Sequence, residues 1–385
     1  MTCTSTKLVA GLLAACLCSS VAGADTTGTT VGGYTFGSDI QGYLDISQDV
    51  CDLMAAVNAG DFASARAIYT NGQNSVRSDG STRKLQEWAI SGSDGEPHWS
   101  LYSSFFANDS DWVDTFVRAG FDGAAPWTSA DAQAQVVKKG VQSNLLVAYM
   151  FHEVDEAAEA VEEGQTDAKT GAPHKVDEGA AIWFGTTCPA GSIADVANKR
   201  AASFGTLTAG PDGVCTAATN VAAGQALSAL QDAALKGGAA AYATATKALE
   251  KAVVTVWTQA TLTYAQELEE QVAAGSSTDE AKAEGIAFFR TIQPLVAQVS
   301  PLSADTIAVA LASPAKGVAA KVTTAFEPVL TAYGITPAEL GSLGATSQCT
   351  LDAASPPTGG AAGLPAGSTL AGALAAAAGA IALLA

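Results

Sequence analysis

Four residues in the middle of the chain have side chains and spacing that suit metal binding. Asp155 and Glu156 follow His152 by three and four residues, and Tyr149 precedes His152 by three residues. Positions i, i+3 and i+4 of an α-helix share a face, so these side chains are expected to lie together. They offer imidazole, carboxylate and phenolate ligands. The alternative is a solvated acidic face at the end of a long helix.

A second group repeats the same spacing after a polar loop. His174 is followed by Asp177 and Glu178, again at i, i+3 and i+4. A helical hairpin would bring this group towards the first one. Hard cations such as Fe(III) favour carboxylate and phenolate oxygen, and imidazole is an acceptable ligand for iron. We therefore predict a metal site in this hairpin. The alternative for the second group is a helix start, where acidic side chains complement the helix dipole.

The elements that must position these groups are predicted to be helices. Helix-forming residues dominate, and no alternating pattern is long enough to build a sheet. The helical patterns cover about 39–57, 61–70, 130–163, 192–204, 222–235, 239–273, 278–299, 303–311, 315–333 and 336–342, with a further helix starting near His174. The sequence thus predicts an all-α fold with long helices and few or no strands.

A weak internal repeat indicates a duplicated helical-hairpin bundle. Residues 130–190 and residues 239–299 each predict a long helix, an acidic end, a polar connection and a helix that opens with Glu-Gly before an aromatic pair. The second copy has no histidine in its acidic groups. If there is one metal site, it belongs to the first copy. Alanine-rich helices also match one another by chance, so duplication is one of two open explanations.

The N-terminal end has the features of a secretory signal peptide. Lys7 precedes an apolar run that ends at Cys18, and Ala22-Gly23-Ala24 has the form of a signal-peptidase site. We assign residues 1–24 to this signal and expect residues 25–38, rich in Thr and Gly, to form a flexible leader. The folded domain is then expected to cover residues 39–350.

The C-terminal end predicts attachment to a membrane through a lipid. Small and turn-forming residues fill the linker 351–370, and an uncharged apolar tail follows at 371–385. This order is typical of a GPI-attachment signal, with Gly359 and Gly360 as candidate attachment sites. The alternatives are a transmembrane helix, for which the tail is short, and an unprocessed tail.

Charge and cysteine content narrow the class further. A formal net charge of −19 argues against nucleic acid and anionic lipid surfaces as partners. Four cysteines remain once the signal peptide is removed, which predicts two disulfides. Three pairings are possible, and we favour Cys188–Cys215, which closes a loop, with Cys51–Cys349, which joins the ends of the domain. Asn108-Asp109-Ser110 is a glycosylation acceptor triplet.

Four segments in order resemble the algal Fe-assimilating proteins, the low-iron-inducible and high-CO2-inducible periplasmic family related to phytotransferrins. The segments are AIYTNGQNS at 67–75, HEVDE at 152–156, KVDEGAAIWF at 175–184 and ANKRAASFGT at 197–206. The resemblance spans about Gln41 to Ser300. This chain departs from the family pattern at Val176, where a tryptophan often precedes the Asp-Glu pair, and in the reduced aromatic content that follows.

The resemblance implies a protein at the extracellular face of the plasma membrane or in the periplasmic space that assists Fe(III) uptake. It implies Fe(III) held with carbonate, with Lys199 and Arg200 as candidates to balance the anion, and an endocytic or membrane transport partner. We expect no catalytic activity. One alternative is a surface or adhesion protein that keeps only the helical scaffold. The other is a metal-dependent peptidase, which the absence of H-E-x-x-H and G-x-S-x-G patterns disfavours.

Overall fold

The computed structural model describes residues 25–92 and 95–351, and it confirms the all-α prediction. The helices of the N-terminal half are α1 Gln41–Asn58, α2 Phe62–Asn71, α3 Leu85–Trp88, α4 Pro97–Phe105, α5 Trp112–Asp122, α6 Ala130–Lys139, α7 Leu146–Glu162 and α8 Ala172–Phe184. Those of the C-terminal half are α9 Ile193–Phe204, α10 Ala218–Lys236, α11 Ala239–Ala274, α12 Asp279–Val299, α13 Pro301–Ala312, α14 Val318–Ala332 and α15 Pro337–Leu340. In the described part of the chain no helix is sufficiently long and apolar to span a membrane.

Two helical hairpins form the centre of the bundle. One pairs α7 with α8, and the other pairs α11 with α12. The 36-residue α11 is built from alanine and other strong helix formers, and it ends at Gly275, which adopts the left-handed conformation at φ 65°. Buried aliphatic and aromatic side chains from both hairpins join a single large hydrophobic core.

The predicted helix over 130–163 is interrupted by one π-helical turn. Residues Gly140–Leu145 form this turn between α6 and α7. A Cβ at Gly140 would come within 2.9 Å of Val117 Cγ2, so the glycine permits close packing against α5. The turn shifts the register of α7 relative to α6, which changes the direction in which the site residues on α7 face.

The prediction of a flexible leader over residues 25–38 is wrong. This segment holds strands β1 Thr30–Val31 and β2 Tyr34–Thr35, which pair antiparallel. Tyr34 and Phe36 are fully buried, and the Tyr34 hydroxyl donates to Asp177 Oδ1 at 2.5 Å. The Thr and Gly content suggested mobility, but Tyr34 attaches the segment to α8, and the Phe36 ring packs against the Tyr34 ring.

The favoured disulfide pairing is also wrong. The structure joins Cys51 to Cys188 and Cys215 to Cys349. Cys51 on α1 faces the turn after α8, where the Cys188 backbone N–H donates to Ser47 Oγ at 2.9 Å. Cys215 begins strand β4, Cys215–Ala217, which pairs with β3, Leu207–Ala209.

The C-terminal segment explains why Cys349 pairs with Cys215. Ser342 and Gly344 donate their backbone N–H groups to the carbonyls of Phe204 and Ser203, at 3.0 and 2.7 Å. The Leu207 N–H donates to Ser347 Oγ at 3.3 Å. Because of these contacts, the end of the domain lies beside β3 rather than beside α1. The predicted Cys188–Cys215 pairing rested on the short separation of these two cysteines in the sequence.

Candidate metal site

Three acidic or imidazole side chains from two elements converge where α4 meets α7. Glu96 immediately precedes α4, while His152 and Glu156 are one turn apart on α7. One ligand atom from each lies within 4.8 Å of the other two, and within residues 25–92 and 95–351 this is the group with such geometry. Glu96 and His152 are buried, and the Glu156 side chain is 35% exposed.

The hydrogen bond between His152 and Glu96 decides which imidazole nitrogen can bind a metal. His152 Nδ1 lies 2.8 Å from Glu96 Oε2, and a carboxylate accepts, so Nδ1 donates. In the neutral imidazole the lone pair then lies on Nε2, which is 3.7 Å from Glu156 Oε1. A metal-bound histidine commonly donates its other N–H to a carboxylate, which fixes the ring orientation. His152 has this arrangement.

Lys175 on α8 forms the opposite wall. Its Nζ lies 2.6 Å from Glu156 Oε2, 3.3 Å from Glu153 Oε2 and 3.4 Å from Glu178 Oε2. Burial alone would lower the pKa of Lys175, but the charges of Glu153 and Glu178 outweigh it and raise that pKa. The ammonium group therefore stays charged at neutral pH, in contact with Glu156.

Glu153 and Glu178, two buried carboxyl groups beside Lys175, have pKa values shifted in opposite directions. Burial, and then the charge of Glu178, raise the pKa of Glu153 well above its ordinary value. Burial would also raise the pKa of Glu178, but the hydrogen bond from His174 and the charge of Lys175 lower it overall. A proton shared by this pair is therefore held more strongly by Glu153 than by Glu178. Tyr43 donates its hydroxyl to Glu153 Oε1 at 3.1 Å.

The structure separates the predicted ligands on α7. Asp155 and Glu156 lie about 60° and about 40° to opposite sides of His152 around the helix axis. Glu156 faces α8, whereas Asp155 faces His98, whose Nδ1 lies 2.7 Å from Asp155 Oδ1. Tyr149 stacks on Trp88 with ring centroids 4.1 Å apart. Burial, and then the charge of Glu153, raise the pKa of Tyr149 well above its ordinary value, so it stays a neutral phenol.

The predicted ligands on α8 also have other partners. His174 Nε2 lies 3.3 Å from Glu178 Oε1, and its Nδ1 lies 2.7 Å from Ser38 Oγ. Asp177 accepts hydrogen bonds from the Tyr34 and Ser38 hydroxyls, both at 2.5 Å, and from the Gly37 N–H. Of the seven predicted ligands, His152 and Glu156 are the two that belong to the group with Glu96.

The predicted anion-balancing residues lie elsewhere. Lys199 pairs with Asp195 at 2.6 Å on the exposed side of α9. The Arg200 guanidinium lies over the rings of Tyr264 and Phe288, 5.8 and 5.7 Å from their centroids, and so faces the α11–α12 hairpin. The cation that contacts Glu156 is instead Lys175.

Sequence reasoning missed Glu96 and Lys175. Glu96 lies 56 residues before His152, outside any helical periodicity that could connect them. One available signal was the Glu-Pro-His stretch, because Pro97 marks a helix start and His98 is one of three histidines in the chain. Asn108 lies in an exposed turn after α4, where its glycosylation stays a prediction. Gly359 and Gly360 lie outside the described residues, as does the signal peptide.

Comparison with known proteins gives one match. A family model described as Fea1, low iron-inducible periplasmic protein, matches residues 7–360. Neither the curated proteins nor the solved structures contain a significant match to this chain.

Proposed function

Because the chain belongs to the family of low iron-inducible periplasmic proteins, we propose that it binds Fe(III) outside the cell membrane and assists its uptake. The observation that carries the proposal is the convergence of Glu96, His152 and Glu156 within 4.8 Å. Carboxylate oxygen and imidazole nitrogen are ligands that iron accepts.

Glu96, His152 and Glu156 offer too few ligand atoms to fill the coordination shell of an iron ion by themselves. His152 Nε2 and the Glu156 carboxylate face each other, and Glu96 orients the imidazole through Nδ1. Iron prefers more ligands than these residues supply, so water or an anion would complete its shell. We propose carbonate as that anion, with the charge of Lys175 balancing it. Binding and release require no catalytic step, and we propose none.

A titration with Fe(III) citrate tests this function. We expect about one iron per chain, tighter binding with bicarbonate than without, and weaker binding at acidic pH because the ligands take up protons. Since Tyr149 is not directed at the three ligand residues, we expect no phenolate-to-iron charge-transfer absorption band.

His152→Ala is the decisive variant. We expect it to weaken Fe(III) binding by more than about 100-fold, because loss of a ligand costs more than the 10- to 100-fold typical of groups that only orient one. Glu267→Ala is the matched control, since Glu267 follows Tyr264 on α11 as His152 follows Tyr149 on α7. Equal binding by wild type and His152→Ala, or no binding by folded wild type, would refute the proposal. The second result would favour a surface protein that retains only the scaffold.

We also propose that the chain is exported and held at the outer surface of the membrane by a lipid at Gly359 or Gly360. The support is the order of small residues, spacer and apolar tail in the sequence. Phosphatidylinositol-specific phospholipase C should release the protein from intact cells. Retention after treatment would contradict a GPI anchor. A protein anchored in this way does not itself cross the membrane, so uptake of the iron would require an endocytic or membrane transport partner.

A further inference from the structure

Glu96 occupies the N-cap position of α4 but does not cap it. Its side chain makes no cap hydrogen bond with a backbone N–H of the helix. Some other helices of this protein are capped by the residue in that position, whereas α1, α5 and α8 also lack such a bond. Asp61 caps α2, Ser129 caps α6 and Ser192 caps α9, each by accepting a backbone N–H three residues later. The first N–H groups of α4 thus have no acceptor in the N-cap side chain.

Asp155 of α7 supplies that acceptor. Its Oδ2 accepts the backbone N–H of His98, the second residue of α4, at 2.8 Å. The N–H at this position is one that an N-cap side chain normally satisfies. The cap therefore comes from a different helix, and the Glu96 carboxylate is directed at His152 instead.

The second oxygen of Asp155 holds the His98 ring. Asp155 Oδ1 lies 2.7 Å from His98 Nδ1, and His98 Nε2 lies 3.3 Å from Glu250 Oε1 on α11. The ring also stacks on Phe151, with centroids 4.0 Å apart. Both ring nitrogens and one ring face are thus fixed, so the first turn of α4 cannot rotate without breaking several buried contacts.

We propose that Asp155 is a positioning residue, which caps α4 from α7 and thereby places the Glu96 carboxylate against His152 Nδ1. Its effect on iron rests on the proposed function, whereas the placement of Glu96 does not. Asp155 thus has a role next to the site, although the sequence analysis assigned it as a ligand.

Histidine NMR on ¹⁵N-labelled protein tests the placement without metal. The chain has three histidines, so three pairs of imidazole nitrogen signals are expected, one Nδ1 and one Nε2 from each ring. In the wild type the Nδ1–H of His152 should be protected from exchange with water by its bond to Glu96. In Asp155→Asn that protection should be lost, because an amide presents one acceptor oxygen in place of two. Persistence of the protected signal in folded Asp155→Asn would overturn the proposal.

The matched control is Asp49→Asn. Asp49 is a buried carboxylate on α1 that accepts the backbone N–H groups of Asn74 and Gln73, at 2.8 and 3.3 Å, away from the three ligand residues. It should retain the His152 signal and Fe(III) affinity. Asp155→Asn should weaken Fe(III) binding by about 10- to 100-fold. If both variants lost the His152 signal alike, Asp155 would be only a structural residue.

A paired variant covers the case in which Asp155→Asn does not fold. His98→Leu with Asp155→Ala removes both buried polar groups together and leaves no uncompensated charge between them. The N–H of residue 98 then lacks its acceptor, so the His152 protection should again be lost. Its survival would contradict the inference. Wild type that binds no Fe(III) would refute the proposed function, while the imidazole signal would still decide the placement.

Discussion

The two helical hairpins have similar frameworks but opposite electrostatic surroundings. Each presents a tyrosine on its first helix and a Glu-Gly pair on its second, at Glu178 in α8 and Glu284 in α12. In the α11–α12 hairpin, Glu284 lies 3.0 Å from Lys139 of α6, and Arg200 of α9 covers Tyr264. There the neighbouring helices contribute cations.

In the α7–α8 hairpin the neighbouring segment contributes another acid. Glu96 bonds His152, and Lys175 of α8 lies 2.6 Å from Glu156 and 3.4 Å from Glu178. The two hairpins differ in the element that packs against them, which is α6 in one case and the segment before α4 in the other. That third element determines whether a protein cation neutralises the acidic groups of the hairpin. In the α7–α8 hairpin the third element contributes the acid Glu96 beside the imidazole of His152, and these are groups that favour a bound cation.

Removing Lys139, the cation of α6 that pairs with Glu284 of the second hairpin, should have the largest effect on stability. Lys139→Met leaves Glu284 buried without its partner, and loss of one member of a buried pair costs about 3–5 kcal/mol. Lys138→Met is the control, because Lys138 bonds the Asn58 side chain at an exposed position. Urea unfolding measures both. A loss below about 1 kcal/mol in Lys139→Met would break the comparison.

The buried His98 should make the structure less stable as pH rises. Burial alone would lower its pKa, but hydrogen bonds to Asp155 and Glu250 outweigh burial and raise it from 6.5 to about 9. The resulting stabilisation is complete below pH 6.5 and is lost as pH rises through about 9. We expect a loss of up to about 3 kcal/mol over this range, since one pKa unit corresponds to about 1.4 kcal/mol.

His98→Gln isolates this contribution, because it removes the titrating ring and leaves the other groups unchanged. The difference in unfolding free energy between wild type and variant should shrink from pH 6 to about pH 9. A difference that stays constant with pH would show that His98 is not charged in the folded protein.

Lys175→Met sharpens the comparison at the first hairpin. The Lys175 side chain is 34% exposed, so we expect a loss of about 1–2 kcal/mol, between the values for exposed and buried pairs. Fe(III) binding should also lose its dependence on bicarbonate, because the variant lacks the cation that balances the anion. Titration with and without bicarbonate measures this effect, and a persisting dependence would place the anion elsewhere.

Lys199→Ala should have the smallest effect. Its side chain is 57% exposed and its partner Asp195 lies one turn earlier on the same helix. Such pairs contribute about 0.3–0.5 kcal/mol, so unfolding should barely change. Fe(III) binding should equal that of the wild type. Weakened binding would restore Lys199 as a candidate for holding the anion.

The sequence predicted helices well where their ends carry local signals. Helix α9 was expected at 192–204 and lies at Ile193–Phe204, because Ser192 accepts the Asp195 N–H and Gly205 ends the helix at φ 72°. The π-helical turn at Gly140–Leu145 was missed, since all of its residues are buried, the polar Gln142, Ser143 and Asn144 included, and no proline or cap marks a break in the helix.

The site was only half predictable for a similar reason. Helical spacing correctly placed His152 and Glu156 on one face, but it could not show that Asp155, at the edge of that face, contacts α4. The position of Glu96 depends on how a distant loop packs, which no local pattern reports. The Cys51–Cys188 and Cys215–Cys349 pairing depends on the same long-range packing.

The two disulfides have a consequence for the covalent topology of the chain. They close successive rings that do not interleave, with sequence separations of 137 and 134 residues. The first ring encloses α7–α8 and the second encloses α11–α12, while residues 189–214 connect them. A single proteolytic cut in this connector would yield two cyclic halves without a covalent link, whereas a cut within either ring would release no fragment.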